Sequence, residues 1–252
     1  MTFYSGNSAN YFFVTALFYG RIKNAVQTSD YKGGSGLTKQ FDAPFIAVEG
    51  PIGAGKTSLA LKLSEHYRFH LLEEIVDENP FLSKFYEDID EWSFQTEMFF
   101  LCNRFKQLED LYENQLSKGY SVVSDYHIFK NHLFAKQTLR DEHLAKYERI
   151  YNILTGDLPR PNVILYINAS LDTLLNRISR RGREMEKSID PSYLHQLSGD
   201  YEQFMRDHQH VYPEIPVITL DGDRLDFVAN PHDFRRIVDQ LDEAITKKRS
   251  LL

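Results

Sequence analysis

One octapeptide limits what this chain can become: Gly50-Pro51-Ile52-Gly53-Ala54-Gly55-Lys56-Thr57, which follows the apolar run Phe45–Glu49 and leads into the helical periodicity of Thr57–His66. It fits G-x-x-x-x-G-K-[ST] in the strand-to-helix setting that this motif requires. Glycines let the backbone turn tightly and aim N–H groups at an anion, and the helix that follows adds the positive end of its dipole. In such a loop Lys56 reaches the β and γ oxygens of a nucleoside triphosphate, and the Thr57 hydroxyl binds Mg²⁺. Gly50, Pro51, Ile52, Gly53, Ala54, Gly55, Lys56 and Thr57 are therefore the expected cradle for ATP and Mg²⁺. An Asn-Lys-x-Asp guanine motif is absent, which disfavours a switch GTPase and leaves the phosphoryl acceptor to be read elsewhere.

From Phe45 onward short apolar runs alternate with longer amphipathic ones, the pattern of βαβ units. Strands are expected at Phe45–Glu49, His70–Ile75, Tyr120–Asp125, Asn162–Asn168 and Pro216–Leu220. Helical periodicity marks Thr57–His66, Phe94–Ser117, His143–Leu154, Leu171–Arg180 and the stretch near Pro231–Lys247. The expected fold is α/β: a P-loop NTPase fold with a five-stranded parallel sheet flanked by helices and an arginine-rich lid. A length of 252 residues suits one such domain. Residues 1–43 stand apart, with aromatic residues in no clear period and then the linker-like Lys32-Gly33-Gly34-Ser35-Gly36. Their basic bias is shared with organelle transit peptides. The stretch also reads as a poor signal sequence or as an artefact upstream of a start near Leu37, and it is expected to be disordered or dispensable.

A formal net charge of -7 argues against a surface built to neutralise nucleic-acid phosphates, so a small substrate is expected and no nucleic acid polymer. No run of about 20 apolar residues occurs, so no membrane span is expected. The single cysteine, Cys102, excludes an internal disulfide framework and a cysteine-based zinc site, and it suits a reducing, cytoplasmic location. Cys102 itself is expected to be a small core residue.

The second strand ends in Glu73-Glu74, placing a carboxylate at the edge of the sheet where open α/β folds put ligands. Either acid can face the site, where a carboxylate within reach of an alcohol takes its proton. Farther on, Arg177-Ile178-Ser179-Arg180-Arg181-Gly182-Arg183 packs four arginines around one glycine. That run is a solvated helix face or, behind a phosphate loop, a lid whose cations meet the transferring phosphoryl group.

Gly50–Thr57, Glu74-Ile75-Val76, Trp92-Ser93-Phe94, Asp125-Tyr126-His127 and Arg177–Arg183 occur in the order of the deoxynucleoside kinase family, which the chain resembles over residues 44 to about 247, most of all in its bacterial deoxyguanosine kinase branch. The resemblance implies a kinase domain over residues 44–252, working as a homodimer on a small deoxynucleoside. It implies Glu74 as the base on the 5′-hydroxyl, with Ile75 where the family has proline. Tyr86 and Glu186 correspond to its clamp on the 3′-hydroxyl. Asp125 keeps the acid of an acidic-Arg-Ser element near Mg²⁺ and the nucleoside. Tyr126 and His127 replace the Arg and Ser, leaving those contacts in doubt and packing under the site as the other reading. Of the lid, Arg177 and Arg181 are assigned to the donor nucleotide and Arg183, with Lys56, to catalysis.

Glu97 and Arg104 lie seven residues, about two helical turns, apart and can point the same way. A carboxylate accepts from guanine N1–H and the amino group, and arginine donates to O6 and N7, whereas adenine would turn an N1 lone pair toward Glu97. Aligned without gaps from Trp92, Glu97 occupies the family's base-reading position, which Gln95 reaches only with a shift. Phe94 then matches its packing aromatic and Asn131 the acidic residue that assists base recognition. Phe227, in the loop after the last strand, stacks on the donor base or belongs to the core. The activity expected is ATP-dependent phosphorylation of a purine deoxynucleoside, deoxyguanosine to dGMP. The alternatives are a deoxyadenosine or broader deoxynucleoside kinase, a nucleoside monophosphate kinase, and an ATP-binding regulator without turnover.

Overall fold

The computed structural model describes residue 39 and residues 41–75 and 78–249. Most of the expectation for residues 1–43 lies outside the described residues, as do Val76 and Asp77. Phe41 is described, its ring 6.2 Å from that of Phe45, and Ala43 is buried.

Five strands, β1 (Phe45–Glu49), β2 (His70–Leu72), β3 (Val122–Ser124), β4 (Val163–Asn168) and β5 (Val217–Asp221), form one parallel sheet in the order β2-β3-β1-β4-β5. Phe45 pairs with Val122 and Ile46 with Val163, so β1 lies between β3 and β4. Every residue of β1 is buried, as expected of a parallel strand with helices on both faces. All five expected strands are present. β2 and β3 stop short of their expected ends, at Leu72 and Ser124 instead of Ile75 and Asp125; the Asp125 side chain there accepts the Glu74 N–H and the Thr57 hydroxyl.

The helices are α1 (Lys56–Tyr67), α2 (Leu82–Glu87), α3 (Ile89–Asn114), α4 (Lys130–Thr138), α5 (Asp141–Thr155), α6 (Leu171–Arg181), α7 (Pro191–Val211) and α8 (Pro231–Arg249). Asp88 caps α3 by accepting from Glu91 N–H, and Asp190 caps α7, where Pro191 occupies the first turn. Gly182, at φ 68°, ends α6. One core joins β1, β4, α1, α6, α7 and α8 around Leu59, Ile164, Leu174 and Leu197. A second lies between α3 and α5, around Leu101, Leu108 and Tyr147.

Three helices escape the periodicity reading. α2 is six residues long, and α4 buries six of its nine residues, so neither shows a polar face. α7 is missed although it carries a signal: Leu194, Leu197, Tyr201 and Met205 recur at helical spacing behind an Asp-Pro start. Cys102 corrects an expectation, since it is exposed: Leu101, Arg104 and Leu108 take the buried face of α3. Among the described residues no helix is long and apolar enough to cross a membrane.

Burial pushes the His127 imidazole down to about 3 and that of His208 down to about 4, from an ordinary 6.5. Below 6.5 the unfolded chain takes up protons that the folded chain refuses, so this stability is present above 6.5 and is lost as pH falls toward those values. In urea titrations the unfolding free energy should fall between pH 6 and pH 5 by up to about 1.4 kcal/mol per pH unit for each ring. His208→Phe should show the shallower slope; an unchanged slope would assign the acid sensitivity elsewhere.

Candidate active site

The loop after β1 needs its glycines for two reasons. Gly50 has φ 151°, and a Cβ there would stand 2.6 Å from the Ile167 carbonyl oxygen; at Gly53, φ 84°, one would stand 2.8 Å from that of Leu174. The backbone therefore turns tightly against β4 and α6, leaving its N–H groups at the start of α1. Lys56 Nζ donates to the Gly50 and Pro51 carbonyls at 2.8 and 2.9 Å, folding over the loop. Burial, then the neighbouring Lys130, pushes its ammonium down to about 8.

Asp125, just past β3, ties the sheet edge together. Its Oδ2 accepts from Thr57 Oγ1 at 2.6 Å and its Oδ1 from Glu74 N–H at 2.8 Å. The two expected Mg²⁺ residues thus meet, and their hard oxygen donors suit that ion, which is commonly held by one or two carboxylates with phosphate oxygens and water. Among the described residues no group of three His, Cys, Asp or Glu is arranged to hold a metal unaided.

Glu74, not Glu73, turns inward. Its Oε1 accepts from Arg104 Nε, at 3.0 Å, and from Arg104 Nη2, and its Oε2 accepts from Lys130 Nζ at 2.7 Å. Burial alone would raise this carboxyl, but Arg104, Lys130 and Lys56 outweigh it and hold Glu74 well below the usual carboxylate range. Oε1 is filled by two donors, whereas Oε2 keeps a lone pair for a further one. Arg104 also donates to Asn131 Oδ1, so two of the three residues assigned to base reading, Arg104 directly and Asn131 through it, are joined to Glu74. Lys130 was not anticipated; a lone lysine in the apolar run Ile128-Phe129-Lys130 was its one signal.

The cleft in front of these groups measures about 980 Å³. It runs from Gly55, Lys56 and Thr57 past Glu74 to Tyr86, Glu97 and Glu186. Glu97 is only 1% exposed, and its Oε2 has no hydrogen-bond partner among the described residues. Burial, opposed by Arg104 and the Thr138 hydroxyl, raises its carboxyl to about 7. The Thr96 and Tyr193 hydroxyls, also on the cleft, are buried without partners as well. Phe85, Phe100 and Phe134 supply apolar wall that the sequence reading did not single out. Phe94 stands elsewhere, packing on the second core with its ring 5.0 Å from that of His143.

The arginine run ends α6. Arg177 donates to the Ala54 carbonyl at 2.9 Å and to that of Gly222 at 2.7 Å, clamping the phosphate loop to the loop after β5. Arg181 grips Glu186 with Nε and Nη2, and Arg183 Nη1 lies 3.7 Å from the same carboxylate. Phe227 is buried under Gly55, where an added Cβ would be 3.3 Å from its ring, and it borders the cleft. Tyr126 and His127 pack underneath: the Tyr126 hydroxyl donates to Gln107, and the neutral His127 ring donates from Nε2 to the Pro159 carbonyl.

A phosphate loop on the central strand of a parallel sheet, with a buried ionised carboxylate lining the same cleft, is the arrangement of a P-loop kinase. The comparison with known sequences is specific. Residues 46–246 match the family described as Deoxynucleoside kinase, and the chain belongs to that family, whose members phosphorylate deoxynucleosides. The deoxyguanosine kinase of Bacillus subtilis (strain 168) is 57% identical over 203 residues, covering 81% of this chain and 98% of the relative. The deoxyadenosine kinase of Lactobacillus acidophilus is 34% identical over 214 residues, covering 79% and 95%. Among solved structures, deoxyadenosine kinase from M. mycoides with bound dATP superposes with TM-score 0.68 at 24% identity, covering 79% of this chain and 99% of that one, a likeness of fold.

Arg104→Met would leave Glu74 buried with the Lys130 ion pair and the more distant charge of Lys56. Unpairing a buried charge commonly costs about 3–5 kcal/mol, and a loss near the lower figure is expected in urea unfolding. Adding Glu74→Gln should restore part of it; a double variant no more stable than Arg104→Met would contradict the pairing.

Proposed function

We propose that this kinase transfers the γ-phosphoryl group of ATP to the 5′-hydroxyl of a purine deoxynucleoside, deoxyguanosine above all, giving dGMP. One observation carries the reading: the cleft holds two buried carboxylates in opposite states of pairing, Glu74 held ionised by Arg104 and Lys130 near the phosphate loop, and Glu97 with its Oε2 unpartnered among the described residues. Guanine offers donors at N1 and at its amino group to a carboxylate, and O6 and N7 to the Arg104 N–H groups not used by Glu74 and Asn131. The 57% identity to a deoxyguanosine kinase supports the same choice.

The donor triphosphate would lie on residues 50–57, with Lys56 turning from its two carbonyls to the β and γ oxygens. Mg²⁺, held by Thr57 and Asp125, would supply positive charge where the phosphates meet. Glu74 orients the 5′-hydroxyl through the free lone pair of Oε2 and receives its proton as the bond to phosphorus forms. Its low basicity suits a loose transition state, in which the nucleophile needs placing more than early deprotonation. Tyr86 and Glu186 hold the 3′-hydroxyl. The segment Arg177–Arg183 acts as the lid: Arg177 braces the donor loop, and Arg181 and Arg183 swing from Glu186 toward the phosphates. Asn131 serves the base through Arg104, and Phe227 supports the donor loop from below. A cytoplasmic homodimer completes the proposal, on the family resemblance and the lone cysteine.

Glu74→Gln should lower kcat by about 10²–10⁴ while leaving ATP affinity near that of the parent, read by steady-state kinetics with ATP titration. A variant with parental kcat would remove Glu74 from the chemistry.

Glu97 makes base choice depend on pH. Above about 7 its carboxylate accepts from guanine; below, the protonated group can donate to the adenine N1 lone pair. The ratio of kcat/KM for deoxyguanosine over deoxyadenosine should therefore rise from pH 6 to pH 8.5, and Glu97→Gln should flatten that rise. A pH-independent ratio in the parent enzyme would assign base reading to other residues.

A further inference from the structure

Glu49, the last residue of β1, is fully buried one position before the phosphate loop, and no step of the transfer uses it. A buried carboxyl is costly unless its oxygens are hydrogen-bonded. Both oxygens of Glu49 are: Oε1 accepts from the backbone N–H of His127, and Oε2 is 3.2 Å from the Tyr201 hydroxyl. The first bond crosses from β1 to the segment between β3 and α4; the second reaches α7, where Tyr201 is stacked on Tyr166 of β4 at an interplanar angle of 9°. His127 in turn accepts at its carbonyl from Lys130 N–H, 3.2 Å away, and Lys130 holds Glu74. Asp125, which meets Thr57 and Glu74, lies two positions before His127.

We propose that Glu49 is a positioning residue that registers the Asp125–Lys130 segment against the phosphate loop, and so fixes where Lys130 meets Glu74. Covalent connection from Glu49 to Lys56 carries one side of this register, and the His127 bond carries the other. The groups facing Glu49 are Lys56, Lys130, Glu74, His127 and Tyr201; burial raises its carboxyl to about 7 against the pull of Lys130 and Lys56. The brace works in either protonation state, because Oε1 accepts from His127 in both and a protonated Oε2 donates to the tyrosine oxygen. An amide of the same shape does likewise, so the brace depends on hydrogen bonds and not on charge.

The inference rests on the kinase reading for its kinetic arm alone. Glu49→Leu, which keeps bulk but no hydrogen bond, is compared with Glu49→Gln by amide hydrogen exchange over residues 122–131 without ligand, by ATP affinity, and by kcat with deoxyguanosine. In Glu49→Leu exchange in that segment should quicken tenfold or more with other helices unchanged. Its kcat should fall about 10²-fold, the cost of a misplacement near 1 Å, with ATP affinity within threefold. Glu49→Gln should stay near the parent in all three. Parental exchange and kcat in Glu49→Leu, equal damage in both variants, or faster exchange throughout the chain with ATP affinity lost in step would each overturn the proposal. If Glu49→Leu does not fold, Tyr201→Phe decides: a several-fold change of the same kind supports the brace, and none overturns it. Should the parent phosphorylate no deoxynucleoside, exchange still judges the brace, while the proposed function fails.

Discussion

Carboxylates and cations share one buried patch at the carboxyl edge of the sheet, and none of them could stay there alone. Glu74 is ionised because Arg104 and Lys130 bind it; Arg104 tolerates burial because Glu74 and Asn131 accept its N–H groups. Such clusters are poor sources of stability compared with an apolar core, yet breaking one partner is costly, so each member dictates where the others sit. Here that restriction has a use. The Glu74 carboxylate, proposed to meet the acceptor alcohol, is held by donors from two helices, and Asp125 fixes its backbone from a third element.

Much of this was legible in the sequence, and the boundary has physical causes. The phosphate loop is readable because its backbone geometry demands glycine at set places, as Gly50 and Gly53 show against the Ile167 and Leu174 carbonyls. The sheet is readable because parallel strands buried on both faces become plain apolar runs. Thr57 could be placed by the phosphate-loop motif, and the end of the second strand narrowed one acid to Glu73 or Glu74; the family resemblance chose Glu74 and singled out Asp125. Lys130 could not: α4 is buried nearly all round and carries no periodic signal, so a charge in its first turn had no visible partner. Arg104 illustrates a second limit. Spacing puts it on the face of α3 shared with Glu97, but only three-dimensional packing shows that three of its N–H bonds go to Glu74 and Asn131. Arg177 is similar: four arginines around a glycine announce a cationic segment, while its two carbonyl acceptors come from loops distant in the chain.

Glu74 and Glu97 are the same residue type in the same cleft with opposite electrostatics, and the proposed acceptor follows from the difference. Cations surround Glu74 and hold it ionised; among the described residues Glu97 has Thr138 near one oxygen and no hydrogen-bond partner on the other, and its carboxyl is raised to about 7. Environment alone separates them, as in other sites where paired carboxylates take different roles. The same arrangement weighs against a nucleoside monophosphate as acceptor. Arg104 and Lys130 are committed to neutralising Glu74, so a phosphate placed beside that carboxylate would bring like charge into a buried space whose nearest cations are already paired. A neutral hydroxyl adds no charge there and needs only one lone pair, which is what Glu74 Oε2 retains after Lys130 has bound.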